Sequence, residues 1–164
     1  MQPLLNLLAG VILSGTAGPG APFGLGRFVS DAVTLFRGER HRSKLITALA
    51  FGSYNKRIPD AKSAYDWLSR DTEIVRKYLD DPACGFTFTT AGYGDLFSLL
   101  TYVNSDEWYK DIPKDIPILV VSGGEDPVGE YGRGPSEVAG KLEEAGCGDV
   151  ALLIQKNLKK IILN

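Results

Sequence analysis

The stretch Ile116-Pro-Ile-Leu-Val-Val-Ser-Gly-Gly-Glu-Asp-Pro-Val-Gly129 decides the fold. Its first half, Ile116 to Val121, is a short, continuous apolar run rich in β-branched residues. Such a run reads as a strand covered on both faces, as in parallel sheets. Ser122-Gly123-Gly124 ends it, so Glu125 and Asp126 fall at the strand's C-terminal edge, where open α/β sheets build their sites. Two similar runs stand elsewhere: Val11-Ile-Leu-Ser14, closed by Gly15, and Val150 to Ile154. Between Gly129 and Val150, Pro135 opens a helix at the first position, where its missing N–H is tolerated. Val138, Leu142 and Ala145 recur at helical spacing, and Gly146 terminates the run. Strand, helix and strand here make a βαβ unit with parallel strands and a right-handed crossover.

Outward from this unit the period changes. From Phe28 to about Lys110 the apolar residues recur at helical spacing. Phe28, Ala32 and Phe36 fall on one face with Val29 and Val33, and Gly38 ends that helix. Leu45, Ile46 and Leu49 mark a second. Asp71 or Thr72 caps a third, which points Ile74, Val75, Tyr78 and Leu79 inward, and Pro82 stops it. Thr89 or Thr90 caps a fourth, with Tyr93, Leu96, Phe97, Leu100 and Val103 on one side. Leu4–Leu8 and the tail Lys156–Asn164 have helical character, and Gly15 to Gly26 is a glycine- and proline-rich loop. The expected fold class is α/β: three parallel strands with a large helical insertion.

The bulk numbers exclude several classes. The chain's 164 residues suffice for one ordinary domain. With 44% hydrophobic and 23% charged residues it is globular, not disordered. A net charge of −2 gives no basic excess for a nucleic-acid surface, and the cationic run Arg37–Lys44 reads as a solvated face. Two separated cysteines and one histidine cannot supply the clustered ligands of a structural zinc site, so no metal or cofactor is expected. The cysteines read as free, half-buried thiols in a reducing compartment. No apolar run reaches the roughly 18 residues of a membrane span. Met1–Gly10 lacks the charged start of a signal peptide. A soluble, cytoplasmic protein is expected.

A nucleophile elbow requires G-x-S-x-G, because glycines on either side let the backbone turn sharply. Ser14, Ser53 and Ser122 have glycines nearby without filling both flanks, and Gly134-Pro135-Ser136 fails at Val138. The one histidine, His41, stands between Arg40 and Arg42 and precedes Asp126. Gly18-Pro19-Gly20 lacks both the dinucleotide spacing and the phosphate-loop lysine. An aspartate placed like Asp126 can accept a hydrogen bond from an imidazole and fix its tautomer. Taken alone, its Asp-Pro setting reads rather as a plain turn without chemistry.

Six strings in order shift that balance: Gly10-Val-Ile-Leu-Ser-Gly-Thr16, Arg42-Ser-Lys-Leu45, Leu49-Ala-Phe-Gly-Ser-Tyr-Asn-Lys56, Asp66-Trp-Leu-Ser-Arg-Asp71, Asp81-Pro-Ala-Cys-Gly-Phe86 and Ile118 to Gly129. Together they resemble the C-terminal portion of α/β-hydrolases of the serine aminopeptidase S33, lysophospholipase and monoacylglycerol-lipase-like group. The resemblance implies that residues 1–22 and 112–164 are a partial hydrolase core and that 23–111 is a helical cap over an acyl-binding pocket. It makes Asp126 the triad acid, and it puts the nucleophile and oxyanion loop upstream of Met1. The family runs Ser, then Asp, then His, so His41 is out of order. The family continues from its last strand into Tyr-Pro-Gly-Gly-Arg-His-Glu. Aligned without gaps, Gln155-Lys-Asn-Leu-Lys-Lys-Ile161 occupies that stretch and Lys160 falls at the histidine.

Two functional readings follow. One is a part of a serine hydrolase of acyl esters, of lysophospholipid or monoacylglycerol type, inactive alone because nucleophile and histidine are missing. The other is a non-catalytic, truncated or decayed fragment, or a lipid-binding module whose cap cleft is lined by Trp67, Phe86, Phe88, Tyr93 and Phe97. The expected partners are a small lipid-like ester and, through the exposed first strand, a second copy or an N-terminal half. No nucleic acid is expected.

Overall fold

In the computed structural model, which describes residues 8–159, the run around Val120 forms the centre of a three-stranded parallel sheet. The order is β1 (Val11–Ser14), β2 (Ile118–Gly123), β3 (Val150–Gln155), with Val11 opposite Ile118 and Ile118 opposite Val150. Strand β2 starts at Ile118, two residues later than the apolar run suggests. Pro117 has no N–H to give a ladder; its carbonyl instead accepts from Val11 N at 2.9 Å. Between β1 and β2 lie α1 (Phe23–Arg37), α2 (Lys44–Phe51), α3 (Thr72–Asp80), α4 (Thr90–Val103) and α5 (Asp106–Asp111), and α6 (Arg133–Glu144) joins β2 to β3. The chain forms two compact units, one of residues up to Ala21 with those from Tyr102 onward, the other Pro22–Thr101.

In the sheet-bearing unit, α6 lies over one sheet face. Val138, Ala139 and Leu142 pack on Ile118 and Val120, with Tyr109 of α5, Ile116 and Cys147 completing the core. Helix α6 begins at Arg133, so Pro135 lies within the first turn, where amides lack intrahelical partners anyway. The opposite sheet face carries Ile12, Leu119, Val121, Ala151 and Leu153 by the two-residue alternation. It stays open: Ile12 is 63% and Leu153 49% exposed. Burial pushes the Tyr109 phenol up to about 12, with Asp106 and Glu137 adding to it. Lys141 donates to Asp106 at 2.9 Å, and that hydrogen bond holds the Asp106 carboxyl below its ordinary value.

In the helical unit, Ile46, Tyr93 and Phe97 form a core joined by Val29 and Val33 of α1. Side chains cap three of the helices as local chemistry dictates: Ser43 accepts from Ile46 N, Asp71 from Glu73 N, and Thr89 from Gly92 N. Several faces depart from the sequence expectation. Phe28 and Phe36 point outward while Val29 and Val33 point in, and Leu45, Leu49 and Leu79 are exposed. These helices are apolar around more of their circumference than one small core can cover. Cys84 and Cys147 are free thiols, the first half-buried as expected, the second fully buried in the sheet unit's core. Residues 156–159 form turns and bends, not a helix. Leu8 is not helical; Leu4–Leu7 and the tail beyond Lys159 lie outside the described residues. Among the described residues, no helix is long and apolar enough to cross a membrane.

Candidate functional site

Parallel strands deliver their C-terminal ends, and the loops that leave them, to one edge of the sheet. Three loops meet at that edge here. After β1, Gly18 packs against Gly134 at the start of α6. A Cβ built on Gly18 would stand 2.4 Å from the Gly134 Cα, so neither position has room for a side chain. After β2 comes the turn that holds Asp126. After β3, the chain folds back over that turn.

The Asp126 turn is tied down by its own backbone. Asp126 N donates to the Gly123 carbonyl at 3.2 Å, and the Asp126 carbonyl accepts from Tyr131 N at 2.9 Å. The side chain is 0% exposed, and Oδ1 accepts from Val128 N at 2.9 Å. Burying a carboxylate is expensive unless hydrogen bonds replace its water. The amide at Val128 supplies one such bond and fixes the plane of the carboxylate.

The segment after β3 is bound to the same turn. Gly124 N donates to the Gln155 carbonyl at 2.9 Å, and Glu125 N to the Leu158 carbonyl at 2.8 Å. A Cβ on Gly123 would lie 1.8 Å from the Lys159 carbonyl oxygen. Gly123 has an ordinary negative-φ conformation, so closeness and not dihedral freedom requires glycine here. This docking was absent from the sequence reading; the doubled Gly123-Gly124 was its only trace. It carries the chain, up to Lys159, across the residues that precede the buried acid. Lys160 lies outside the described residues.

The other candidates have local partners within their own units. His41 belongs to the helical unit, where its amide donates to Gly38 and its carbonyl accepts from Thr90 N at 2.8 Å. Ser122 is buried with its hydroxyl 3.4 Å from the Gly123 carbonyl, and a turn, not a helix, follows it. Ser136 Oγ is committed to the Gly132 carbonyl at 2.8 Å. Of the aromatics expected to line a cleft, Trp67, Tyr93 and Phe97 are buried, whereas Phe86 and Phe88 are exposed and stack edge-to-face. Arg133 joins Glu130 and Glu137 in an exposed ion-pair chain beside the turn, an arrangement that contributes little stability.

A parallel sheet, a βαβ unit and a buried acid after that unit's first strand fit part of an α/β-hydrolase fold. Solved structures agree. The chain is similar to a highly thermostable carboxyl esterase from Bacillus coagulans, at 27% identity and a TM-score of 0.83, covering 96% of this chain and 51% of that one. A lipase in its open form gives 24% identity and a TM-score of 0.82, covering 93% of this chain and 50% of the lipase. A soluble variant of the monoglyceride lipase of Saccharomyces cerevisiae shares the fold at 14% identity and a TM-score of 0.63, covering 99% of this chain and 51% of that one. The chain thus spans about half the length of each. No family model and no curated protein matches the sequence.

Proposed function

We propose that this chain is the C-terminal part of a serine hydrolase of acyl esters, of lysophospholipid or monoacylglycerol type, with Asp126 as its triad acid. The observation that carries this is the fully buried Asp126 at the C-terminal end of the central parallel strand, its Oδ1 held by the Val128 amide. In the complete reaction a serine attacks the ester carbonyl and an imidazole takes its proton. The acid holds that imidazole in the required tautomer. The helical unit serves as the cap over the acyl chain. The similarity to a carboxyl esterase and to lipases supports the ester class.

The sequence contains no G-x-S-x-G, and its one histidine, His41, precedes Asp126 against the order Ser, Asp, His, so in this reading the chain alone performs only the orienting part. Strand β1 is an edge strand with Ile12 exposed beside it, a setting that invites a further strand from another polypeptide or a second copy. The test is hydrolysis of p-nitrophenyl butyrate by the purified chain. Hydrolysis at the buffer rate is expected. Turnover that Asp126→Asn abolishes would show that nucleophile and base reside within this chain after all.

The exposed Phe86–Phe88 pair favours a second reading, non-catalytic binding of an acyl chain by the helical unit. A fluorescent fatty acid that binds wild type and is lost with Phe86→Ser would support it.

A further inference from the structure

The segment after β3 turns back on itself at a left-handed residue. Asn157 has φ +65°, and Leu158 N donates to the Gln155 carbonyl at 3.4 Å to close the turn. Asparagine enters this conformation more readily than most side chains, and β-branched residues almost never do. Asn157 is exposed. Its backbone angle, not its packing, is what the turn requires of it.

The turn aims two carbonyls at the loop that carries Asp126. The Gln155 carbonyl, on one side of Asn157, accepts from Gly124 N at 2.9 Å; the Leu158 carbonyl, on the other, accepts from Glu125 N at 2.8 Å. Ile154, at the end of β3, meets both arms of that loop. A Cβ built on Gly124 would lie 3.6 Å from Ile154 Cγ2, and one on Gly132 would lie 3.0 Å from its Cδ1. Between these arms Asp126 is fully buried, with Oδ1 accepting from Val128 N at 2.9 Å.

We infer that the turn at 155–158 is a latch and that Asn157 is a positioning residue. Its left-handed backbone holds the loop shut and keeps the Asp126 carboxylate on the Val128 amide. The hydrogen bonds across the latch come from backbone groups, so the dihedral preference of Asn157 is a means by which a side chain sets them. The latch rests for its functional meaning on the reading of Asp126 as the orienting acid, since an acid fixes an imidazole only if it is itself held in place.

Carbodiimide coupling of glycine ethyl ester to the whole chain, read by peptide mass spectrometry, tests it beside amide hydrogen exchange. In wild type, exposed carboxylates label and Asp126 does not. Asn157→Val disfavours the left-handed turn, and should raise Asp126 labelling and Val128 exchange about tenfold with Leu142 exchange unchanged. Asn157→Gly should behave as wild type. Three results would overturn the inference: equal Asp126 labelling in Asn157→Val and wild type, the same rise in Asn157→Gly as in Asn157→Val, or a rise matched by equally faster exchange at Leu142. Neither readout needs catalysis, so failure of the latch and failure of the hydrolase reading are separate results.

Discussion

Helices α6 and α1 are both amphipathic, and the chain treats them differently. On α6, Leu142 is 0% exposed because β2 lies directly beneath it. On α1, Phe36 is 82% exposed although its apolar spacing is as regular. Periodicity specifies that a helix has an apolar face; only a packed neighbour decides whether that face is buried. The βαβ unit carries its own neighbour, since sheet and helix are adjacent in sequence. The helical unit does not, and Leu25, Phe28, Leu35 and Phe36 stay exposed on it.

The sharpest way to break the comparison is to truncate one residue in each helix. Leu142→Ala should cost about 2–5 kcal/mol of stability by denaturant unfolding, and Phe36→Ser no more than about 0.5 kcal/mol. Equal costs would show that α1 is packed in solution. Next comes Gly123→Ala. Its Cβ meets the Lys159 carbonyl backbone, which cannot rotate away, so a loss of about 1–3 kcal/mol is expected. Faster hydrogen exchange at the Gly124 and Glu125 amides should accompany it.

Titration sharpens the picture further. Tyr109 is raised to about 12 when folded, against about 10 unfolded. The folded state therefore retains its proton longer, and stability is full below pH 10 and falls as pH rises toward 12. The loss, on the order of 1 kcal/mol after solvent screening, is read by thermal unfolding against tyrosinate absorbance. A smaller effect belongs to Asp71→Ala, which removes the α3 cap at Glu73 N and should cost about 1 kcal/mol. Smallest is Asp106→Asn. The Asp106 carboxyl is lowered in the fold by Lys141, so its contribution exists above the ordinary carboxylate range and disappears as pH falls through the folded value. Asp106 is exposed and Lys141 partly so, and the change should be the least of the set.

The sheet was legible because buried parallel strands announce themselves: Val11–Ser14 was read to the residue, β2 starts two residues late at Pro117 and runs on through Ser122 and Gly123, and β3 runs one residue longer, to Gln155. The turn that holds Asp126 was legible through the glycines before it, while the role proposed for Asp126 rested on the ordered resemblance and not on the turn. The direction of helix faces was not, because Phe28 and Val29 are equally apolar and the choice between them belongs to tertiary packing. The docking of Leu158 and Lys159 on the Asp126 turn was not legible either. It brings together residues more than thirty positions apart through backbone atoms, which carry no sequence signature. The sequence had offered a helix for this segment.

The central claim is that Asp126 is the orienting acid of a hydrolase whose nucleophile and base are not in this chain. A fluorophosphonate probe, which labels activated serines, tests it most directly, alongside p-nitrophenyl butyrate hydrolysis. The account predicts no labelling and hydrolysis at the buffer rate, unchanged by Asp126→Asn. Stoichiometric labelling of one serine, lost in Asp126→Asn with the fold intact, would contradict it.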